Sequence, residues 1–342
     1  PVVIDGALIA EATKAVPEVL VAEIKSTEKE ELGIDDIERL AEEAEKAAEA
    51  YQYEEAIEIL EKVLAIEEKK LGQEHPDVVH TLNSIGLIYH SQADYKKAEP
   101  FFFRALAISE KALGPEHLST ATTLSILASN YSDQGLYSKS KSLYLRALSI
   151  RKKAFGLEHP KVATILNNLA IVYLDQGLYS KAKPLYLRAL SINEKVLGSE
   201  HSDTLANLNN LALLYVDQGL YSKAEPLYLR ALAIDEKVLG PEHPDTGTTL
   251  NNLALLYVDQ GLYSKAEPLY LRALAIDEKV LGPEHPDTGT TLNNLALLYS
   301  DQGLYSKAEV LYLRALAITE KALGPEHLST GTNLNNLAGL YS

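Results

Sequence analysis

Apolar positions in this chain fall into two helical stripes that alternate and then return. Between His243 and Leu281, the residues Leu250, Leu253, Ala254 and Tyr257 are three or four apart, so they share one helical face. Gly261 interrupts that stripe and is suited to the left-handed conformation that closes a helix. Ala266, Leu269, Tyr270, Ala273, Leu274 and Ile276 build a second stripe, which Gly282 and Pro283 end. The pattern predicts helix A over about 245–260 and helix B over about 264–281. Ser264 with Glu267 three residues later has the form of a capping box at the start of helix B. Pro268 then falls at the fourth helical position, where the backbone N–H has no intrahelical partner. Nothing in the chain alternates with the period of a strand.

The same pair of stripes recurs. Residues 211–252 and 253–294 are identical, which fixes the period at 42 residues (253 minus 211). Leu-Gly returns at 71, 113, 197, 239, 281 and 323, with Phe155-Gly156 in the remaining place. A fixed period of this length indicates a stack of one supersecondary unit rather than one globular core. Repeats are predicted at 36–72, 73–114, 115–156, 157–198, 199–240, 241–282 and 283–324, followed by an eighth A helix. In the first repeat Glu43 and Tyr51 stand where Leu and Gly are expected. Residues 1–35 do not follow the pattern and are expected to be an N-terminal cap or a linker remnant. Residues 36–342 are expected to be the solenoid. Leu334, Leu337 and Tyr341 leave an apolar face open on the last helix, which suggests a truncated chain and possible self-association there.

Leu253-Ala254, Tyr257, Gly261, Tyr263, Ala266, Tyr270 and Ala273 are similar to the large and small positions of the tetratricopeptide repeat. The longer period, with the phrases TLNNLALLY and EHPDT, resembles the 42-residue variety found in kinesin light chains. The resemblance covers about 36 to 342. It implies an all-α, right-handed superhelical α-solenoid of stacked antiparallel helix pairs: seven hairpins plus a terminal A helix. It also implies that A helices line the concave side.

Composition narrows the role. With 32 Lys and Arg against 48 Asp and Glu, the net charge is −16, which argues against nucleic acid and anionic membrane as partners. No apolar run reaches the length of a spanning helix. There is no Cys, so neither disulfides nor Cys-ligated zinc contribute. That fits a reducing compartment, and a cytoplasmic protein is expected. The start, PVVIDGALIA, lacks a basic region of a secretory signal.

Three columns of residues invite a chemical reading. Glu-His recurs at 74, 116, 158, 200, 242, 284 and 326. Neighbouring hairpins lie ~8–10 Å apart, too far for adjacent loops to share one ion whose ligands sit at ~2 Å. These pairs are expected to shape the start of helix A, and no metal or cofactor is expected. Tyr257, Tyr263 and Tyr270 are expected to pack in the core. The third column lies on the A-helix face away from helix B: Thr248, Asn251, Asn252, Leu255, Val258 and Asp259. Asn is a mediocre helix former, and Asp in a last turn opposes the helix dipole, so local stability explains neither.

One reading makes these residues a ladder that binds an extended peptide. Its members are Asn167, Asn209, Asn251, Asn293 and Asn335, the adjacent Asn210, Asn252 and Asn294, and the apolar Ile171, Leu213, Leu255 and Leu297. The carboxylates Asp175, Asp217, Asp259 and Asp301 complete it. The other reading has Asn capping neighbouring A helices and Asp merely solvated. The face lacks Lys and Arg from the second repeat onward, so a neutral or basic segment is the expected ligand. His80 and His90 share a face of the second repeat but stand ~15 Å apart along the helix, too far for joint ligands, though a pH-sensitive contact is conceivable there.

No phosphate loop, nucleophile elbow, zinc-protease motif or Cys nucleophile is present. A non-catalytic protein-binding scaffold is therefore expected. A self-assembling or engineered repeat without a dedicated ligand, and the sensor arm of a larger enzyme, are the alternatives.

Overall fold

A computed structural model describes residues 34–341; the expected cap or linker at 1–35 lies almost wholly outside them. The described residues form fifteen α-helices and no strand. The chain divides into two units, Pro1–Leu157 and Glu158–Ser342. In the first, the helices are α1 (Ile34–Glu49), α2 (Tyr53–Leu71), α3 (Val78–Ser91), α4 (Tyr95–Ala112), α5 (Leu118–Asp133) and α6 (Tyr137–Phe155). In the second they are α7 (Pro160–Asp175), α8 (Tyr179–Val196), α9 (Ser202–Asp217), α10 (Tyr221–Val238), α11 (Pro244–Asp259), α12 (Tyr263–Val280), α13 (Pro286–Asp301), α14 (Tyr305–Leu323) and α15 (Leu328–Leu340).

Odd-numbered helices are A helices and even-numbered ones are B helices. Within each unit every A helix except the terminal α15 packs on its own B helix, and each B helix packs on the A helix that follows. In the second unit α7, α9, α11, α13 and α15 also touch in succession, whereas successive B helices make no comparable contact. The A helices are therefore the inner row of that stack. The stacked-hairpin expectation holds in both units.

The core follows from alternating small and large residues. Ala254, Ala266 and Ala273 have no exposed surface and let helices approach closely. Tyr270, equally buried, fills the space they leave. Their counterparts Ala212, Ala224, Ala231 and Tyr228 behave the same way one period earlier.

The turn inside a hairpin is built on a left-handed residue. Gly261 has φ 69°. Its N–H donates to Val258 O and that of Leu262 donates to Tyr257 O, both at 2.8 Å, which closes α11 in a Schellman motif. This tight turn corrects two expectations. Helix α12 begins at Tyr263, and the carbonyl of its N-cap, Leu262, serves Lys265 and Ala266, so Ser264 and Glu267 form no capping box. Pro268 is consequently the sixth residue of α12, and the Ser264 carbonyl loses its helical donor.

The turn between hairpins gives the Glu-His column its role. His243 is the N-cap of α11, with extended backbone, and its Nδ1 accepts from Asp245 N–H at 3.2 Å. The same bond forms at His117, His159, His201, His285 and His327. Thr246 Oγ1 ties the first turn of α11 back to Gly240 O at 2.9 Å. The preceding Glu242 reaches Lys279 Nζ at 2.6 Å. Expected to shape the start of helix A, these histidines do so as N-caps.

Candidate functional site

The outer and inner faces of residues 158–341 handle charge differently. On the outer face successive B helices are joined by ion pairs: Arg230 with Glu194 at 2.7 Å, Arg272 with Glu236 at 2.6 Å, and Arg314 with Glu278 at 2.6 Å. Lys237, Lys279 and Lys321 pair with the loop residues Glu200, Glu242 and Glu284. The cations of this face are thus matched by neighbouring carboxylates.

On the inner face, Asp217, Asp259 and Asp301 have no such match among the described residues. Helices α9, α11, α13 and α15 contain no Lys or Arg. Asp217, Asp259 and Asp301 are exposed at the ends of their helices. Partial burial raises the Asp259 carboxyl above its ordinary pKa, and Asp217 and Asp301 on either side raise it further. Burial raises Asp217 as well. Asp175 is also exposed.

Beneath this row lie the B-helix tyrosines. Tyr186 and Tyr270 are wholly buried, and their hydroxyls have no hydrogen-bond partner. The Tyr186 phenol is held neutral by burial and by the fields of Asp175 and Asp217; Tyr270 is held neutral by burial, Asp259 and Asp301. Tyr228 occupies the same relation to Asp217 and Asp259. The A-helix tyrosines differ, because the Tyr257 and Tyr299 hydroxyls donate to Glu225 and Glu267 of the preceding B helix at 2.7 and 2.8 Å.

The asparagines sit largely between A helices. Asn167 Oδ1 accepts from both Asn207 and Asn210 at 3.0 and 3.1 Å. Asn251 Nδ2 donates to Thr291 Oγ1 at 2.5 Å, and Asn336 donates to Asn293 Oδ1 at 3.0 Å. Asn209 and Asn251 each keep a buried Oδ1 without a partner. Asn252 and Asn294 are half-buried, and Asn335 is exposed on α15. Ile171, Leu213, Leu255 and Leu297 are half-buried; the first two pack against the core. The expected site residues thus separate into a seam between hairpins and an accessible face of Asp and Leu.

In the first unit the same face is closed by an imidazole. His90 Nε2 lies 2.7 Å from Asp133 Oδ2, and the His90 side chain is almost fully buried, edge-on to Tyr95. An ionised carboxylate only accepts, so Nε2 carries the proton. His80 is instead half-buried, and burial lowers its pKa. Asn83 Nδ2 donates to Thr123 Oγ1 at 3.1 Å, the counterpart of the Asn251 bond.

One column escaped the sequence reading. Residues 67, 109, 151, 193, 235, 277 and 319 are Glu, Ser, Arg, Asn, Asp, Asp and Thr, and all are buried. Five bond the next A helix fourteen residues on: Glu67 from Thr81, Asn193 to Asn207, Asp235 from Thr249, Asp277 from Thr291 and Thr319 from Asn333. Burial pushes Asp277 up to about 6 and Glu67 up to about 7. A polar residue beside Ile234 and Ile276, at the common period, was the available signal.

No group of three or more His, Asp or Glu among the described residues has the arrangement of a metal site. No helix among them is long and apolar enough to cross a membrane.

The model of the tetratricopeptide repeat family matches residues 44–111, 101–153, 119–195, 161–237, 203–279 and 255–321. Among solved structures, BtubC (BKLC) from P. vanneervenii is 25% identical with a TM-score of 0.52, over 71% of this chain and 92% of that one. A putative kinesin light chain with nearly identical TPR-like repeats from Podosopora anserina is 28% identical with a TM-score of 0.50, over 60% and 98%. The apo form of RapI shares the fold at 18% identity, with a TM-score of 0.60 over 84% and 98%. No curated protein matches the chain.

Proposed function

This chain belongs to the tetratricopeptide-repeat family, whose repeats generally mediate protein–protein interaction, and we propose that it is a non-catalytic scaffold holding a partner segment on its inner, A-helix face. The observation that carries this reading is the contrast between faces in residues 158–341. The outer face is closed by ion pairs, while the inner one presents Asp217, Asp259 and Asp301, which have no ion pair among the described residues, beside half-buried leucines. An extended or helical segment lying across the A helices would meet Leu213, Leu255 and Leu297 for apolar contact. Asn252, Asn294 and the Asp row would supply polar contact. Asn167, Asn251 and Asn293 act chiefly by fixing the spacing of the helices that present this face.

The test is crosslinking mass spectrometry on partners captured by the chain. Crosslinks should map to α9, α11 and α13, and the double variant Leu213→Glu, Leu255→Glu should abolish capture while Leu229→Glu on the outer face retains it. Capture lost only with the outer variant would overturn the reading. Self-association is a second reading, motivated by Leu328 and Leu334 standing exposed on α15 and Tyr341 at its C-cap. Light scattering across a concentration series tests it, and a constant monomer mass removes it.

A further inference from the structure

Resting on the inner-face reading, we propose that residues 158–341 take an extended segment with a Lys or Arg at every third position, one cation seated at each of Asp217, Asp259 and Asp301.

The first argument is charge. Among the described residues these three carboxylates form no ion pair and no hydrogen bond, and their own helices contain no Lys or Arg. The B helices of the same hairpins carry Arg and Lys that pair with Glu on the outer side, and first-turn lysines, Lys223, Lys265 and Lys307, that lie over the Tyr215, Tyr257 and Tyr299 rings. Lys265, near the inner turn, lies over the Tyr257 ring at 4.9 Å. Asp217 and Asp301 both raise the cost of ionising Asp259 between them, and a cation from outside relieves it.

The second argument is the orphaned phenols. A buried donor without a partner is uncommon in native proteins. Tyr186 and Tyr270 each place such a donor under two successive carboxylates of the row. The interior thus supplies these carboxylates with no hydrogen bond from the phenols beneath them.

The third argument is a copy of the contact inside the chain itself. Asp133 occupies the equivalent position, and His90 of the preceding A helix donates to it at 2.7 Å. At Asp217, Asp259 and Asp301 the places of His90 are held by Leu174, Val216 and Val258, which offer no donor. The position thus accepts an N–H donor where one is built in, and presents a bare carboxylate where none is.

Spacing gives the sequence of the ligand. Packed helices stand ~8–10 Å apart. A polyproline II segment rises ~3.1 Å per residue with three residues per turn, so every third side chain points the same way at ~9 Å intervals. A helical ligand, rising ~5.4 Å per turn, would place cations at ~5.4 or ~10.8 Å, a poorer match to one cation per hairpin.

The experiment uses the whole chain and fluorescein-labelled twelve-residue peptides, read by anisotropy at low salt. One peptide carries Lys at every third position among Gly and Ser. The second has the same composition with its Lys bunched at one end, and the third has Glu in place of Lys. The spaced peptide should bind about tenfold tighter than the bunched one, and the Glu peptide should not bind. The triple variant Asp217→Asn, Asp259→Asn, Asp301→Asn should lose about tenfold or more for the spaced peptide with an unchanged thermal melt. Equal binding of spaced and bunched peptides, or an unaffected triple variant, overturns the proposal. Partners captured through Leu213 and Leu255 but lacking spaced cations would leave the inner-face reading standing and remove this one. Capture insensitive to every inner-face variant would remove both.

Discussion

Residues 34–157 and 158–341 are written on the same 42-residue plan, yet the first unit answers locally what the second leaves open. At Asp133 a histidine supplies the counter-donor; at Asp217, Asp259 and Asp301 none does. At the hairpin turn the first unit forces Tyr51 and Ala93 to φ 59° and 58°, where the second uses Gly177, Gly219, Gly261 and Gly303. Both units bury a carboxylate in the B-to-A seam, Glu67 in one and Asp277 in the other. The plan therefore tolerates variation in turns and polar contacts while its Ala and aromatic positions stay filled. The inner-face chemistry is concentrated where the repeats are most alike.

The most damaging change should strike both units alike, because it targets what they share. Tyr270→Ala and Phe102→Ala each empty a wholly buried aromatic site and should each cost about 3–5 kcal/mol, measured by denaturant unfolding. A large difference between them would show that the common frame is not equally stressed.

Next come the buried carboxylates. Asp277 has a folded pKa of about 6 against an ordinary value near 4, so its favourable contribution is fully present below about pH 4 and is lost as pH rises through about 6. Asp277→Asn keeps an acceptor for Thr291 and should stabilise the protein by about 2 kcal/mol at pH 8, with the gain gone near pH 4. Glu67→Gln should behave the same way in the first unit, with its transition extending to about pH 7. Thermal melts across this range check both.

A smaller change tests the open row directly. Val258→His stands to Asp301 as His90 stands to Asp133, so the new imidazole should occupy that carboxylate. Binding of the spaced Lys peptide should weaken by up to about tenfold, ~1.4 kcal/mol. The smallest expected effect is at the turn. Ala93→Gly relieves a left-handed alanine and should stabilise the first unit by about 1 kcal/mol, whereas Gly261→Ala should destabilise the second by a similar amount. Loss of stability in Ala93→Gly would mean the turn is held by contacts rather than by backbone preference.

Much of this protein was legible in the letters alone. The period, the two stripes and Gly261 locate the hairpins to within a residue or so, because burial of one face and a left-handed closure are local demands. The capping box failed because Leu262 continues the turn and starts α12 earlier than Ser264 allows. The spacing of the Glu-His column puts it at the start of helix A, but the extended backbone at His243, which makes its imidazole Nδ1 the N-cap acceptor, is a property of the folded turn.

Sequence spacing fixes which residues share a helical face, since the 100° step per residue is a property of the helix itself. It does not fix how closely, or at what rotation, the next helix approaches. Only the stacked hairpins could decide that Asn251 and Asn293 bond across a seam while Asp259 stands outside it, or that Asp277 is buried against Thr291. Those choices depend on the packing of Ala and Tyr between helices distant in sequence, and that packing turns a column of letters into either a joint or a surface.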